Sequence, residues 1–414
     1  MKNLLIIYPH WPPSNLAGVH RARLLANFLP EYHWNPIILT VKPEFYEEKL
    51  DWDLEKTVNP NIEVHKVNAF KSPKSFRLIG DIGLRSFFQL YKKAGEIIKS
   101  QKIDAILIPI PIYYTALLGP LIYAKYKIPY GIDYIDPWSD GIPGAEKPFT
   151  RAWLSNKIAN FLEPIALKKA SYVTGVSPAY YEYIFKRNWV SSKLPNAGMP
   201  YGFDARDHEI RLENLALPWP EMTKSWVYAG AFLPKSHEFI QLLFESIASL
   251  KTSNLWPQNH KLYFLGTGLY REKSIVEYAQ EANIEELVVE IRDRFPFLEI
   301  LNFLNHAEVV MVIGTTEKHY TASKTFQAIL SKRPVFSMLH HQSSASSILS
   351  DVGFGSNSVL YDENQDVKGF VESIKNSIFS TLKETNNQVD LSKLQPYSAS
   401  FSAKTLADLL NTIL

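Results

Sequence analysis

Short apolar runs alternate with stretches of helical spacing along most of the 414 residues. The first run, Leu4–Tyr8, ends at Pro9, and helical spacing follows over Val19–Leu29. A run that is apolar at every position is typical of a parallel strand buried on both faces. Strands alternating with helices predict an α/β chain with doubly wound parallel sheets. Further strands are predicted in the first half at Pro36–Val41, Ile62–Val67, Ala105–Pro109, Tyr130–Ile135 and Tyr172–Val176.

The alternation pauses at Pro195–Asp204, a stretch of turn-forming residues, and resumes at Trp226–Gly230. Two Rossmann-like domains are therefore predicted, residues 1–203 and 204–390, followed by a closing helix at 391–414. The later strands are predicted at Lys261–Leu265, Leu287–Ile291, Val309–Ile313 and Pro334–Ser337. Helices are predicted between strands at Leu84–Lys99, Lys157–Lys169, His237–Leu250 and Tyr270–Ala282.

Composition narrows the class of protein. The net charge is only +2, which argues against a nucleic-acid-binding protein, and the chain has no cysteine for disulfides or thiolate metal sites. No stretch approaches the roughly 18 uncharged apolar residues of a spanning helix, and the apolar run after Met1 is too short for a signal peptide. We therefore predict a cytoplasmic protein.

In open parallel sheets, ligands bind beyond the carboxyl ends of the strands. Glycine allows close approach of the backbone, helix N-termini attract anions, and carboxylates beside an aromatic ring suit sugar hydroxyls. A solvated helix start and an Asp that caps the next turn are the simpler alternatives. In the first half, one group of candidates lies at the helix start that follows the first strand and its loop: Gly18, His20 and Arg21. The other group lies at the end of the strand predicted at Tyr130–Ile135: Asp133, Asp136 and Trp138.

The second half offers candidates for binding a nucleotide diphosphate. Gly230 frees backbone amides and Lys235 carries a positive charge to the same loop. Arg294 and Phe295 follow another strand, where a base could stack, although a charged turn is an equal alternative. Farther on, a helix is predicted to start with Thr321 or Ser323 as its N-cap. The amides of this helix start and the charge of Lys324 together form a predicted anion site.

Two further motifs, one typical of dinucleotide binding and one of metal binding, are incomplete in this sequence. Gly266-Thr267-Gly268 resembles a dinucleotide fingerprint, but Arg271 stands at the third glycine position. His340-His341 lacks the carboxylate spacing of a metal site. No cofactor or metal is therefore predicted.

The order of these segments resembles the retaining GT-B glycosyltransferases of family 4, in the branch that builds bacterial surface polysaccharides. The matching segments are Gly18–Arg21, Asp133–Trp138, Ala170–Pro178, Pro200–Asp204 and Tyr320–Pro334. The resemblance implies an N-terminal domain that binds a glycan or lipid-linked acceptor and a C-terminal domain that binds a nucleotide diphosphate sugar, with both sheets facing an interdomain cleft. It also implies transfer without a metal, since basic side chains and helix amides would stabilise the leaving diphosphate.

One departure from the family pattern concerns its pair of glutamates. Counting back from Pro334 places Gln327 and His319 at these two positions. We expect His319, Tyr320 and Gln327 to contact the donor, and His319 to act with Asp136 and Lys235 in catalysis. Because two carboxylates would repel an acidic sugar, a uronic-acid donor is a hypothesis, with a neutral hexose as the default.

Three alternatives remain open. The chain could be a degenerate GT-B binding protein or a partner subunit of another transferase, as the missing glutamates suggest, or a nucleotide-sugar 2-epimerase.

The stretch Phe76–Lys102 mixes aromatic and basic residues, so peripheral contact with the inner face of the membrane is a further hypothesis. Its alternative is a helix packed on the sheet with a basic outer face.

Overall fold

The computed structural model describes residues 1–71, 81–142, 144–270, 272–318, 323–383 and 390–414. The chain divides into two compact units. The first unit comprises Met1–Asp204 and Gln395–Leu414, and the second comprises Ala205–Leu394. The division falls one residue beyond the expected boundary, and the segment that rejoins the first unit begins at Gln395.

The described part of the first unit contains a seven-stranded parallel sheet in the order β3-β2-β1-β4-β5-β6-β7. This order, with β1 in the interior of the sheet and strands added on either side of it, is the doubly wound arrangement. The strands are β1 (Lys2–Ile7), β2 (Trp34–Val41), β3 (Glu63–Val67), β4 (Ala105–Ile110), β5 (Tyr130–Tyr134), β6 (Tyr172–Gly175) and β7 (Asn196–Gly198).

Helices cover the faces of this sheet and explain why its central strands are apolar at nearly every position. The last helix of the chain packs against the first, which fixes the C-terminal segment to this unit. The helices are α1 (Ala17–Phe28), α2 (Ile82–Arg85), α3 (Phe87–Ser100), α4 (Leu118–Tyr126), α5 (Arg151–Leu167), α6 (Glu182–Lys186) and, at the C-terminus, α13 (Ala399–Ile413).

The described part of the second unit contains a six-stranded parallel sheet in the order β10-β9-β8-β11-β12-β13. Its strands are β8 (Lys224–Ala229), β9 (His260–Leu265), β10 (Val288–Ile291), β11 (Val309–Ile313), β12 (Val335–His340) and β13 (Ser358–Tyr361). Its helices are α7 (His237–Thr252), α8 (Ile275–Glu281), α9 (Phe297–His306), α10 (Ser323–Leu330), α11 (Ser344–Asp351) and α12 (Val367–Lys383).

The helix predicted over Leu84–Lys99 is largely a packed helix. Leu90, Ala94 and Ile97 on α3 are buried in the core of the first unit, while Phe88 is 72% exposed. Within the described residues, no helix combines the length and the apolar character that crossing a bilayer requires.

Candidate functional site

Arg21 and Asp133 form a buried ion pair at the carboxyl edge of the first sheet. Arg21 Nε and Asp133 Oδ2 are 3.0 Å apart, a second bond joins Nη2 to Oδ1 at 3.2 Å, and neither side chain is exposed. Thr174 donates to the same carboxylate at 2.7 Å, and Arg21 also donates to the carbonyl oxygen of Pro200. A pair so enclosed has no surface to offer an acceptor. The expectation that both residues bind acceptor is therefore replaced by a structural role that joins α1, β5, β6 and the 200–201 segment.

Gly18 and Trp138 are likewise used in packing. The place that a side chain at Gly18 would occupy is filled by the hydroxyl end of Tyr8, so glycine is needed here for helix–strand contact. Trp138 is 4% exposed and stacks on Tyr113 with ring centroids 5.3 Å apart. The expected sugar-stacking surface of Trp138 is thus covered, because its ring belongs to the core around α5.

His20 is half-buried in the first turn of α1. Its Nε2 lies 2.8 Å from the side-chain oxygen of Asn15. The loop before α1 therefore holds this imidazole from one side. Contact of His20 with an acceptor stays a prediction.

Asp136 is the predicted acceptor-side carboxylate that remains exposed. It follows β5, and desolvation by its surroundings raises its pKa above the ordinary value. Its charge in turn contributes to raising the pKa of Tyr113 to about 12, after the larger effect of burial. An exposed carboxylate with a raised pKa at a strand end is suited to accept hydrogen bonds from hydroxyl groups.

A histidine–carboxylate pair that the sequence did not single out follows β1. His10 is 5% exposed and its Nδ1 lies 2.9 Å from Glu48 Oε1, while the Ser14 hydroxyl donates to the same carboxylate. Burial alone would raise the pKa of Glu48, but the hydrogen bonds from His10 and Ser14 and the charge of His10 outweigh it and lower that pKa to about 2. In the neutral form of the ring, with Nδ1–H held by a carboxylate, Nε2 is the nitrogen with the lone pair that can accept a proton or a hydroxyl hydrogen.

Glu48 lies 38 residues from His10 in a charged stretch, so no local spacing connects the two. The sequence offers only one weak indication of this pair. A histidine stands two positions after the predicted strand Leu4–Tyr8, at the edge of the sheet where ligands bind.

Lys324 and Gly230 meet at the carboxyl edge of the second sheet. Lys324 Nζ donates to the Tyr228 hydroxyl at 2.5 Å and to the Ala231 carbonyl at 3.0 Å, and lies 4.3 Å from the centroid of the Tyr228 ring. Gly230 has φ +133, and a side chain there would collide with the end of the Lys324 chain, whose Nζ would lie only 2.9 Å from the new Cβ. Gly230 is therefore what allows the lysine to lie across the end of β8.

The ammonium group of Lys324 lacks a carboxylate partner among the described residues. Burial lowers its pKa from 10.5 to about 7. A desolvated cation held by neutral oxygens gains most from an incoming anion, because the anion restores the charge balance that burial removed. This arrangement is suited to the diphosphate of a nucleotide.

Gly230→Ala is expected to weaken nucleoside diphosphate binding by about tenfold or more, since the new methyl group must displace the Lys324 chain and the loop must leave a φ that alanine avoids. Titration calorimetry with the diphosphate measures this directly. Gly353→Ala is a matched control, because Gly353 also has positive φ, +105, but a side chain there would meet no atom within 4 Å. Equal affinities of the two variants would show that the Gly230 contact does not position Lys324.

Lys235, the other lysine predicted to bind the diphosphate, lies in an exposed position. It pairs with Glu317 at 2.5 Å, and both side chains are more than half exposed. The loops that carry them are joined by the Ser236 hydroxyl, which donates to the Gly314 carbonyl at 2.6 Å. An exposed paired lysine contributes little to anion binding compared with a desolvated one, so the structure favours Lys324 as the principal cation.

The loop after β10 was expected to receive a base. Arg294 is exposed there, and Phe295 is half-buried with its ring edge-to-face against Phe303 at 5.4 Å. Arg292 from the same loop covers the Tyr270 ring at 4.5 Å. Stacking of a base on Phe295 stays a prediction.

Gln327 lies on α10, three residues after Lys324, and its side chain is engaged by His208. The two side chains approach at 2.6 Å, between His208 Nε2 and the Gln327 amide. Burial lowers the pKa of His208. Asn305 donates to the His208 carbonyl at 3.0 Å, which directs its own oxygen to Nδ1 at 3.0 Å. At the other ring nitrogen, Nε2 lies 2.6 Å from Gln327 Oε1, so the oxygen of this amide is engaged by His208.

His319, Tyr320 and Thr321 lie outside the described residues, so their predicted roles remain predictions. Ser323 is described only as the first residue of α10. Nothing further is assigned to them.

The pair His340 and His341 lies at the end of β12 with Glu363 nearby, and ligand atoms of all three are within 4.8 Å of one another. The backbone N–H of Gln342 donates to His340 Nδ1 at 3.0 Å, so the neutral ring carries its proton on Nε2. That nitrogen faces Glu363 at 3.3 Å. With its proton on Nε2, the ring can donate to a carboxylate neighbour. A metal cation would instead need the lone pair of Nε2, which this tautomer does not offer.

Searches of family models and of curated proteins give no match to this chain. Solved structures do resemble it over its whole length. A glycosyltransferase from Rickettsia africae superposes with a TM-score of 0.56 at 12% identity, covering 100% of this chain and 98% of that one. The Anabaena protein HepE, in a complex with UDP and glucose, gives 0.57 at 14% identity, with 100% of both chains covered.

A UDP-forming α,α-trehalose-phosphate synthase from Burkholderia xenovorans gives a TM-score of 0.54 at 10% identity, covering 100% of this chain and 99% of that one. Together with the two parallel α/β sheets, these neighbours decide the fold. The chain has the GT-B fold. At such low identities the likeness extends to the fold alone, so the chemistry must be argued from this chain's own residues.

Proposed function

We propose that the protein transfers a sugar from a nucleotide diphosphate sugar to a polysaccharide or lipid-linked acceptor. The observation that carries this proposal is Lys324, a desolvated lysine held by neutral oxygens over Gly230 at a strand end where GT-B proteins bind ligands. The neighbour HepE has been crystallised with UDP-glucose, which supports a uridine nucleotide as the first donor to test.

The donor contacts follow from the second unit. Lys324 neutralises the diphosphate and supports it as a leaving group, and the amide nitrogen of Gln327, whose oxygen faces His208, donates a hydrogen bond to a sugar hydroxyl. This amide carries no net charge, so it does not select for or against an acidic sugar. A neutral hexose therefore stays the default donor, and a uronic acid remains the variant to be compared with it.

The resemblance to family 4 supports retention of configuration at the anomeric carbon. The bond from that carbon to the diphosphate oxygen breaks, the bond to the acceptor oxygen forms on the same face, and the leaving diphosphate takes the hydroxyl proton. No metal ion is used in this proposal. His10 and Asp136 then act as hydrogen-bond acceptors that hold the acceptor hydroxyls.

The His10–Glu48 pair supports a second candidate, inverting transfer. In that reaction His10 Nε2 would take the hydroxyl proton as general base, and the new bond would form on the face opposite the leaving group. A base with its other nitrogen held by a carboxylate contributes about 10²–10⁴-fold to such a step.

His10→Gln distinguishes the two mechanisms. For retention we expect the acceptor KM to rise about tenfold, with kcat changed by less than about threefold, since only a hydrogen bond is lost. A fall in kcat of about 10²-fold or more, together with an inverted anomeric configuration in the proton NMR spectrum of the wild-type glycoside product, would establish the base instead. His65→Gln, which removes a more exposed histidine–carboxylate pair of the same unit, serves as the control.

The activity itself is tested by nucleoside diphosphate release from a panel of nucleotide sugars, with and without extracted polysaccharide and lipid-linked acceptors. Release that depends on one donor and one acceptor supports transfer. Tight nucleotide binding without release under any pairing would favour the degenerate binding protein or partner subunit. Conversion of the donor to its 2-epimer would favour an epimerase.

A further inference from the structure

Helix α5 presents an uncovered apolar stripe to solvent. Leu154, Ile158, Phe161 and Ile165 are 55%, 40%, 70% and 42% exposed. At about 100° per residue, their spacing places all four within roughly 60° of the helix circumference. Scattered apolar residues are ordinary on surfaces, but a continuous stripe marks a place of interaction.

The opposite side of α5 is fixed in the core, so the stripe cannot turn inward. Glu163 is fully buried and accepts hydrogen bonds from the hydroxyls of Tyr134 at 2.7 Å and Tyr183 at 2.5 Å. Ala159 and Ala166 are buried on the same side. The exposed stripe is therefore a property of the folded unit.

An exposed aromatic residue lies just before the N-terminus of α5. Phe149 is 91% exposed and has a left-handed φ of +63, an uncommon conformation for a bulky side chain. Its ring lies 5.5 Å from that of Trp153, over which Lys157 places its ammonium at 5.6 Å. The local chain thus keeps a phenylalanine in water despite a backbone conformation that disfavours it.

Positive charge borders the stripe on both sides. On the helix circumference, Arg151 and Lys157 lie about 60° to either side of Leu154. From 147 to 169, every described side chain that is both charged and exposed is basic; the others are Lys147, Lys168 and Lys169. An apolar stripe flanked by cations is complementary to an anionic lipid surface, whereas two copies of it would bring like charges together.

We propose that this α5 surface, formed by Phe149, Leu154, Ile158, Phe161 and Ile165 with its flanking cations, docks the first unit peripherally on membranes that contain anionic lipids. The apolar side chains enter the headgroup region and the basic side chains contact lipid phosphates. The proposal does not rest on glycosyl transfer, since vesicle binding is measured without donor or acceptor.

The test is flotation of the full chain with phosphatidylcholine vesicles, with or without phosphatidylglycerol. We expect binding to the anionic vesicles, little binding to the neutral ones and release by high salt. Leu154→Ser/Phe161→Ser should lower the partition coefficient at least about tenfold, because it removes two large apolar side chains from the bilayer interface. Lys157→Glu should lower binding to anionic vesicles only.

Met222→Ser/Leu255→Ser is the matched control, since these two side chains of the second unit are 79% and 54% exposed, close to the 70% of Phe161 and the 55% of Leu154. It should bind as wild type does, and thermal unfolding should show that all variants are folded. Absence of wild-type binding to anionic vesicles would overturn the proposal, as would equal losses in the α5 variant and the Met222→Ser/Leu255→Ser control. A dimer in light scattering that Phe161→Ser dissociates, without vesicle binding, would assign the surface to a second copy instead.

Discussion

Arg21→Met is expected to lower the free energy of unfolding by about 3–5 kcal/mol, because it leaves the Asp133 carboxylate buried without its cation. The Pro200 carbonyl loses a donor in the same change. Urea denaturation followed by tryptophan fluorescence and circular dichroism measures the effect. A loss of this size is a large part of the free energy of unfolding of a typical domain, which is about 5–15 kcal/mol.

Lys404→Met provides the control for this first prediction. Lys404 pairs with Asp408 at 2.6 Å on α13 of the same unit, but both side chains are more than half exposed. Loss of such a pair changes stability by about 0.5 kcal/mol or less. If the two variants unfolded at the same urea concentration, the Arg21–Asp133 pair would not be the support that its burial indicates.

Lys324→Met should weaken nucleoside diphosphate binding by about 2–3 kcal/mol, or roughly 30- to 150-fold, since a charge-assisted contact in a desolvated site is lost. The methionine keeps most of the chain that packs over Gly230, so the fold should persist. Titration calorimetry gives the affinity. Lys235→Met is the comparison, and we expect less than about a threefold loss because that lysine is exposed and paired with Glu317. The reverse order of the two losses would make Lys235 the principal phosphate contact.

The fold could be predicted where strands are buried on both faces. The expected strand at Val309–Ile313 matches β11, and the run at Tyr130–Ile135 matches β5 to within a residue. The strands that escaped prediction are β7 and β13. Both are edge strands and short, and they lack the uninterrupted apolar pattern that burial on both faces imposes.

The functional residues were harder to predict, because residue type at a strand end does not reveal burial. Arg21, Asp133 and Trp138 have the chemistry of a binding site, yet long-range pairing and stacking enclose them. Lys324 and Gly230 were both identified, but as separate candidates 94 residues apart in the chain. Their contact, and with it the desolvation of the lysine, depends on the pairing of β8 with β11 and on the placement of α10.

The His10–Glu48 pair illustrates the same limit. Each residue alone is ordinary, and only the fold brings them within 2.9 Å. The α5 surface differs from this pair, because the helical spacing of its apolar residues can be recognised in the sequence. Since most amphipathic helices turn their apolar side to the core, the structure was needed to show that this stripe faces solvent.

Proton uptake on nucleotide binding tests most directly the claim that a donor diphosphate binds beside Lys324. With a pKa of about 7 in the free protein, Lys324 is largely neutral at pH 8. A bound diphosphate stabilises the ammonium form and raises that pKa, so binding takes up a proton at pH 8 but not at pH 6, and affinity falls as pH rises above about 7. Calorimetry of nucleoside diphosphates in two buffers of different ionisation enthalpy measures this uptake. The account predicts that the wild-type protein takes up nearly one proton at pH 8 and that Lys324→Met takes up none. Sub-millimolar binding without proton uptake would contradict it, as would the absence of binding by any nucleoside diphosphate.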